Sequence, residues 1–124
     1  MKSFAPFATL AMISALSVVP AQAQRAFAPQ ARTANDLADL CAANPKDPQG
    51  DAKINFCHGY AQGAIAVEMR NAGDKKPFCF PNPPPTRTQT LGDFVNWVRS
   101  LPEHRNETAL DGLFKFLAER YPCK

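Results

Sequence analysis

The residues of this chain most able to do chemistry are four cysteines and one adjacent histidine: Cys41, Cys57, His58, Cys79 and Cys123. Cysteine and histidine side chains can bind zinc, and a thiol beside an imidazole can act as a nucleophile with its base. Paired cysteines can instead form disulfides. The helices and loops that carry these residues decide between zinc binding, nucleophilic catalysis and disulfide formation.

Spacing argues against zinc and against thiol catalysis. The chain has no Cys-x-x-Cys pair. Cys57 and His58 lie on a predicted helix, where adjacent side chains point about 100° apart, so they cannot easily share one tetrahedral metal with Cys41 and Cys79. The same divergence separates a Cys57 thiol from a His58 base. We expect no metal site and no cofactor.

The remaining polar residues show no catalytic pattern. His104 lies in a polar turn and is expected to be solvated, and Glu68 and Asp93 lack a spacing typical of an acid/base pair. Basic residues are scattered over a chain whose net charge is +3, which gives no indication of nucleic-acid binding. We therefore predict no catalytic residue and a protein that is not an enzyme.

Residues 1–23 have the pattern of a secretory signal peptide. Lys2 precedes an apolar stretch, and a small-residue pattern ending at Ala23 predicts cleavage there. The apolar stretch spans about 16 residues, short of the roughly 20 that a membrane-spanning helix requires. We predict export to the periplasm without a stable membrane anchor, where an even number of cysteines favours disulfides.

The exported chain is predicted to be one small all-α domain of four helices, residues 33–124, after a flexible segment at residues 24–32. Hydroxyl caps at Thr33 and Thr86 predict the starts of the first and third helices. The second is expected from near Asp51 to a stop at Gly73. The proline-rich segment 74–85 predicts an extended connector.

The fourth helix is predicted to begin after Asn106. Its apolar stripe recurs at helical spacing and predicts the core face: Leu110, Leu113, Phe114, Leu117 and Tyr121. On the second helix, Gly59 and Gly63 lie four residues apart, and each is unfavourable in a helix interior. We interpret them as helix-packing positions where another backbone crosses closely.

Four cysteines allow three pairings, which sequence alone leaves open. A helix climbs about 22 Å from Cys57 to Ala72, and the chain back to Cys79 reaches at most about 23 Å, so a bond between Cys57 and Cys79 needs an almost straight return. Cys41 and Cys57 meet naturally at one end of a helical hairpin. Geometry therefore favours Cys41 with Cys57 and Cys79 with Cys123.

Several motifs in this order resemble the Rap/Tai family of immunity proteins. They comprise Cys57-His58-Gly59-Tyr60-Ala61-Gln62-Gly63, Phe78-Cys79-Phe80-Pro81, Thr86 with Gln89, Leu101-Pro102-Glu103, and Ala118 through Tyr121-Pro122-Cys123. The resemblance implies a periplasmic all-helical protein, often a homodimer. It also implies a partner, a peptidoglycan amidase effector of type VI secretion, which the protein binds and inhibits.

Two other functions stay open at this point. The family's architecture is similar to that of HdeA, which suggests a periplasmic acid-stress chaperone, and an envelope module without a toxin partner is the other alternative. Specific partner-binding residues are unknown. For an immunity protein, the candidate surfaces are the loop from Pro77 to Thr86 and the turn from Glu103 to Glu107, both expected to be exposed.

Overall fold

The computed structural model describes residues 27–124, so the predicted signal peptide, residues 1–23, lies outside the described residues. Within this range the chain forms five helices and no strand, only an isolated bridge between Thr33 and Thr108. The helices are α1 (Ala34–Cys41), α2 (Gly50–Ala72), α3 (Arg87–Ser100), α4 (Pro102–Arg105) and α5 (Ala109–Arg120). The predicted all-α class is confirmed, with α4 as a single turn added to the four expected helices.

Both predicted capping boxes are formed. The Thr33 hydroxyl accepts from the Asp36 backbone N–H at 3.1 Å, and the Asp36 carboxylate accepts from the Thr33 N–H at 2.9 Å. Thr86 and Gln89 exchange the same two bonds at the start of α3. These bonds satisfy N–H groups that have no partner inside the helix, so each helix begins directly after its capping threonine.

The short helix α1 lies at the centre of the domain. It packs against α2, α3 and α5, and its residues Ala34, Leu37 and Ala38 are buried. The largest side chains buried around it are Phe78, Phe94, Phe116, Leu113, Leu117 and Val98. Burial of one such side chain stabilises the folded state by about 1.5–3 kcal/mol relative to leaving it exposed. Because all of these side chains meet around α1, the fold depends on this core.

The core face of α5 differs from the predicted stripe. Leu110 is 42% exposed, whereas Phe116, absent from that stripe, is buried against Phe94 with ring centroids 5.6 Å apart. The helix is rotated so that Gly112 and Leu113 face inward. Because Gly112 has no side chain, this rotation brings α5 close to α1.

Gly112, rather than Gly59 or Gly63, lies at a close helix crossing. A Cβ atom built on Gly112 would lie 2.7 Å from the Cβ of Ala34. Apart from the neighbouring residues and the nearby backbone of α2 itself, no atom of the described residues lies within 4 Å of a Cβ built on Gly59 or Gly63. Within residues 27–124 the crossing predicted at these two glycines is not formed, because α2 turns the opposite face, with Cys57 and Ala61, toward the core.

Both favoured disulfides are present. Cys41 pairs with Cys57 across the hairpin of α1 and α2, with Cα atoms 5.1 Å apart. Cys79 pairs with Cys123, with Cα atoms 4.9 Å apart. The pairing uses all four thiols, so none is available as a zinc ligand or a nucleophile in this structure.

Matched substitutions of glycine distinguish the two kinds of position. We expect Gly112→Ala to lower the free energy of unfolding by about 1–3 kcal/mol, because its methyl group meets the rigid Ala34. Gly59→Ala should raise it by about 0.5–1 kcal/mol, since the position is open and alanine is the better helix former. Urea denaturation measures both changes, and a loss of stability in Gly59→Ala would contradict the open position.

The α1 cap predicts part of the acid sensitivity. Hydrogen bonds from the Thr33 backbone are the largest cause that lowers the pKa of Asp36 below its ordinary value of 3.8. A folded-state pKa below the unfolded one stabilises the fold above the unfolded value, and that stabilisation is lost as pH falls through the folded value. Asp36→Asn should therefore flatten the decline of unfolding free energy between about pH 5 and pH 2. Denaturation at several pH values tests this, and an unchanged slope would contradict it.

Candidate partner-binding site

The first candidate surface is the connector between α2 and α3. We call its exposed part, residues 81–85, the proline loop; it contains Pro81, Asn82 and three further prolines. The peptide bond between Asn82 and Pro83 is cis. The prolines have no backbone N–H and a fixed φ, so the loop forms neither helix nor strand, and it bends at Asn82 and Pro83 rather than running extended throughout.

Both ends of the proline loop are anchored in the body of the domain. Before it, Phe78 is fully buried, and its ring lies 6.2 Å from that of Phe114. The Cys79 N–H donates to the Tyr121 carbonyl at 2.8 Å, beside the disulfide to Cys123. After the loop, Thr86 caps α3. A loop fixed at both ends loses little further entropy when a partner binds it.

A wide cleft of about 990 Å³ lies along one side of the proline loop. Its other walls include Tyr121, Arg120 and Asp93. The Arg120 Nε lies 3.5 Å from the Asp93 Oδ2, and both side chains are largely exposed. Phe80 directly precedes the proline loop, and its ring packs against Tyr121 with centroids 5.0 Å apart. Asp93 is thus paired with a cation.

A second, smaller cleft of about 310 Å³ lies on the other side of the loop, between α2 and α3. We call it the apolar cleft. Most of its lining is apolar: Ala61, Ile65, Ala66, Phe80, Pro84, Pro85, Leu91 and Leu113. Its polar members include Gln62 and Arg87, whose Nη1 donates to the Gln62 Oε1 at 2.6 Å. Phe80 therefore borders both clefts.

Cations surround the proline loop. Arg120 and Lys124 line the wide cleft, and Arg87 lines the apolar cleft. Asp93 is the one Asp or Glu side chain among the lining residues of the two clefts. This end of the domain is suited to an acidic partner surface.

The second candidate surface, the turn from Glu103 to Glu107, is exposed at Glu103, Arg105 and Asn106, as predicted, and is anchored at His104. His104 was predicted to be solvated, but it is buried and stacks on Trp97 with ring centroids 3.6 Å apart. Its Nδ1 lies 2.8 Å from the Trp97 carbonyl oxygen. Glu107 accepts a 2.7 Å hydrogen bond from Lys115, which raises the pKa of that amine.

The reason for this burial is the helical turn α4, which begins at Pro102 and folds His104 back over α3. Trp97 also donates to Glu119 on α5 at 2.7 Å, so this single tryptophan joins three helices. His104 and Trp97 lie on either side of a chain reversal, and no pattern in the local sequence predicts their contact. Phe116 was also missed, although its spacing from Leu113 is compatible with a core position.

The described residues offer no cluster suited to a metal ion: in residues 27–124, no three His, Cys, Asp or Glu side chains are grouped for one. His58 is half-buried on α2, next to the disulfide-bonded Cys57. Burial, followed by the charge of Asp111, raises the pKa of Tyr60, so its phenol stays protonated near neutral pH. The same range contains no helix both long and apolar enough to cross a membrane.

The arrangement therefore offers binding surfaces built on a rigid frame. Searches of curated proteins and of solved structures found no significant match. A family model described as Rap1a immunity proteins matches residues 33–123, which include all five helices of the described residues and both disulfides. The chain belongs to the Rap1a immunity protein family.

Proposed function

We propose that this protein is an exported immunity protein that binds a toxin effector and blocks it without chemistry of its own. The observation that carries the proposal is the family match over residues 33–123. The anchored proline loop supports it, because inhibition by occlusion requires a rigid surface of complementary shape rather than reactive groups.

The finer parts of the proposal rest on the sequence. The effector is a peptidoglycan amidase of type VI secretion, as the resemblance to the Rap/Tai family implies. The place of action is the periplasm, consistent with the signal-like residues 1–23 and with disulfides, which persist in oxidising compartments. The protein acts as a homodimer, as that resemblance also implies.

We assign the effector-binding surface to the proline loop rather than to the turn from Glu103 to Glu107. The turn exposes Glu103, Arg105 and Asn106, but its His104 is buried against Trp97 and the turn lines neither cleft. The proline loop is exposed at Pro81, Asn82 and Pro83, and it forms a ridge between two clefts. A ridge of this kind can enter the active-site groove of an enzyme while the clefts receive side chains from the groove's edges.

Protection of cells tests the immunity function directly. Cells that export the cell-wall amidase encoded beside this gene should lyse, and co-export of the full chain should prevent lysis. The two purified proteins should form a complex that isothermal titration calorimetry detects. Lysis in the presence of the exported, folded protein, together with no heat of binding, would refute the proposal.

A matched pair of tryptophan substitutions tests the proline loop. Asn82→Trp places a bulky side chain on the ridge and should weaken effector binding at least about tenfold, as expected for a change at the centre of an interface. Asn96→Trp makes the same change at an exposed position of α3, about 14 Å along the helix from its start. The control should bind within about twofold of the natural protein. Equal effects of the two variants would exclude the loop.

A further inference from the structure

We propose that the apolar cleft is a receptor for one apolar side chain of the effector, with a neighbouring effector carboxylate paired to Arg87. This inference rests on the proposed function, because the occupant belongs to the effector. It goes further by assigning a pocket, a chemical class of side chain and a charged contact.

The size and lining of the apolar cleft suit one large apolar side chain. Its volume is about 310 Å³, and an engineered apolar cavity of about 150 Å³ is already able to hold benzene. Buried Ala61, Leu91 and Leu113 form part of its lining. An aromatic or long aliphatic side chain can therefore enter the cleft and be removed from water there.

The cleft is held open by its surroundings. One wall consists of Phe80, Pro84 and Pro85, in the segment anchored by Cys79 and Thr86. The opposite wall is α2, a 23-residue helix that packs mainly against α1. Since the prolines are stiff and α2 packs elsewhere, the two walls do not close over the apolar surface between them.

Arg87 gives the cleft a charged edge. Its guanidinium donates to the neutral amide oxygen of Gln62, and within residues 27–124 no carboxylate lies within salt-bridge distance of it. The residue is also the first of α3, an end at which the helix dipole favours anions over cations. An incoming carboxylate would gain the charge of Arg87 without having to displace an ion-pair partner.

Two features favour the effector over other occupants. The cleft shares Phe80, Pro84 and Pro85 with the side of the proline loop, so a protein that receives the ridge meets the cleft in the same approach. Three basic side chains, Arg87, Arg120 and Lys124, line the two clefts against one acidic side chain, Asp93, and this excess of positive charge favours an acidic surface. A second copy of this chain, which carries a positive net charge, lacks that overall complementarity.

Filling the cleft tests this assignment. Ala66→Phe places a ring into the cleft, whereas Val67→Phe places the same ring at the next residue, which is 60% exposed and outside the lining. We expect the affinity for the amidase to fall at least about tenfold in Ala66→Phe and less than about twofold in Val67→Phe. Circular dichroism and melting temperature establish that both variants fold.

A second pair of variants tests the contribution of the Arg87 charge to effector binding. Arg87→Gln retains a donor for Gln62 and removes the cation, so the affinity should fall and its dependence on salt should become weaker. The matched variant Arg70→Gln removes an exposed cation near the end of α2 and should leave the affinity within about twofold. Equal losses in the two variants would overturn the role of Arg87.

The outcomes separate this inference from the immunity function. If the natural protein binds the amidase and both phenylalanine variants bind equally well, the cleft assignment is wrong and the proposed function stands. If the natural protein binds no amidase, both are wrong. If Ala66→Phe changes a dimer to a monomer in sedimentation while the monomer keeps its affinity for the amidase, the occupant is a second copy and the assignment is again wrong.

Discussion

The disulfide between Cys79 and Cys123 is the constraint on which the binding end of this protein depends. It joins the last residues of the domain to the connector between α2 and α3, beside the hydrogen bond from Cys79 to Tyr121. The bond closes a loop of about 45 residues, for which the chain-entropy account gives a stabilisation of about 4 kcal/mol. The proline loop and both clefts take their shape from this closure, because one wall of each cleft is the segment that it anchors.

The core shows why such a closure is useful. A domain of about 100 residues buries a limited fraction of its surface, and here the centre is the eight-residue helix α1. The contact of Ala34 with Gly112 lets α5 approach α1 closely, and the Cys41–Cys57 bond holds α2 against it. Small residues and covalent links thus take the place of a larger apolar core, while most of α2 stays available at the surface.

This construction is suited to a protein whose work is recognition. The four cysteine sulfur atoms are used in structural bonds, Asp93 is paired with Arg120, and His104 stacks on Trp97 inside the body. The cysteine side chains that first suggested metal or thiol chemistry therefore stabilise the fold. Exposed prolines, an apolar cleft and unbalanced positive charge remain at one end, where they form a surface for a partner.

The sequence by itself determined the all-α class, the helix caps, the favoured cysteine pairs and the family resemblance. These features are local or depend on chain lengths. Thr33 and Thr86, for example, predicted where two helices begin, and Gly73 predicted where one ends. Only the tertiary structure decided the rotation of α5, the burial of His104 and the close crossing at Gly112. Each of these results from contact between elements distant in the chain: a helix with several apolar residues can present more than one face, and the neighbour it meets selects the face that is buried. The two clefts depend on the tertiary structure for the same reason, since their walls come from α2, α3 and the proline loop together.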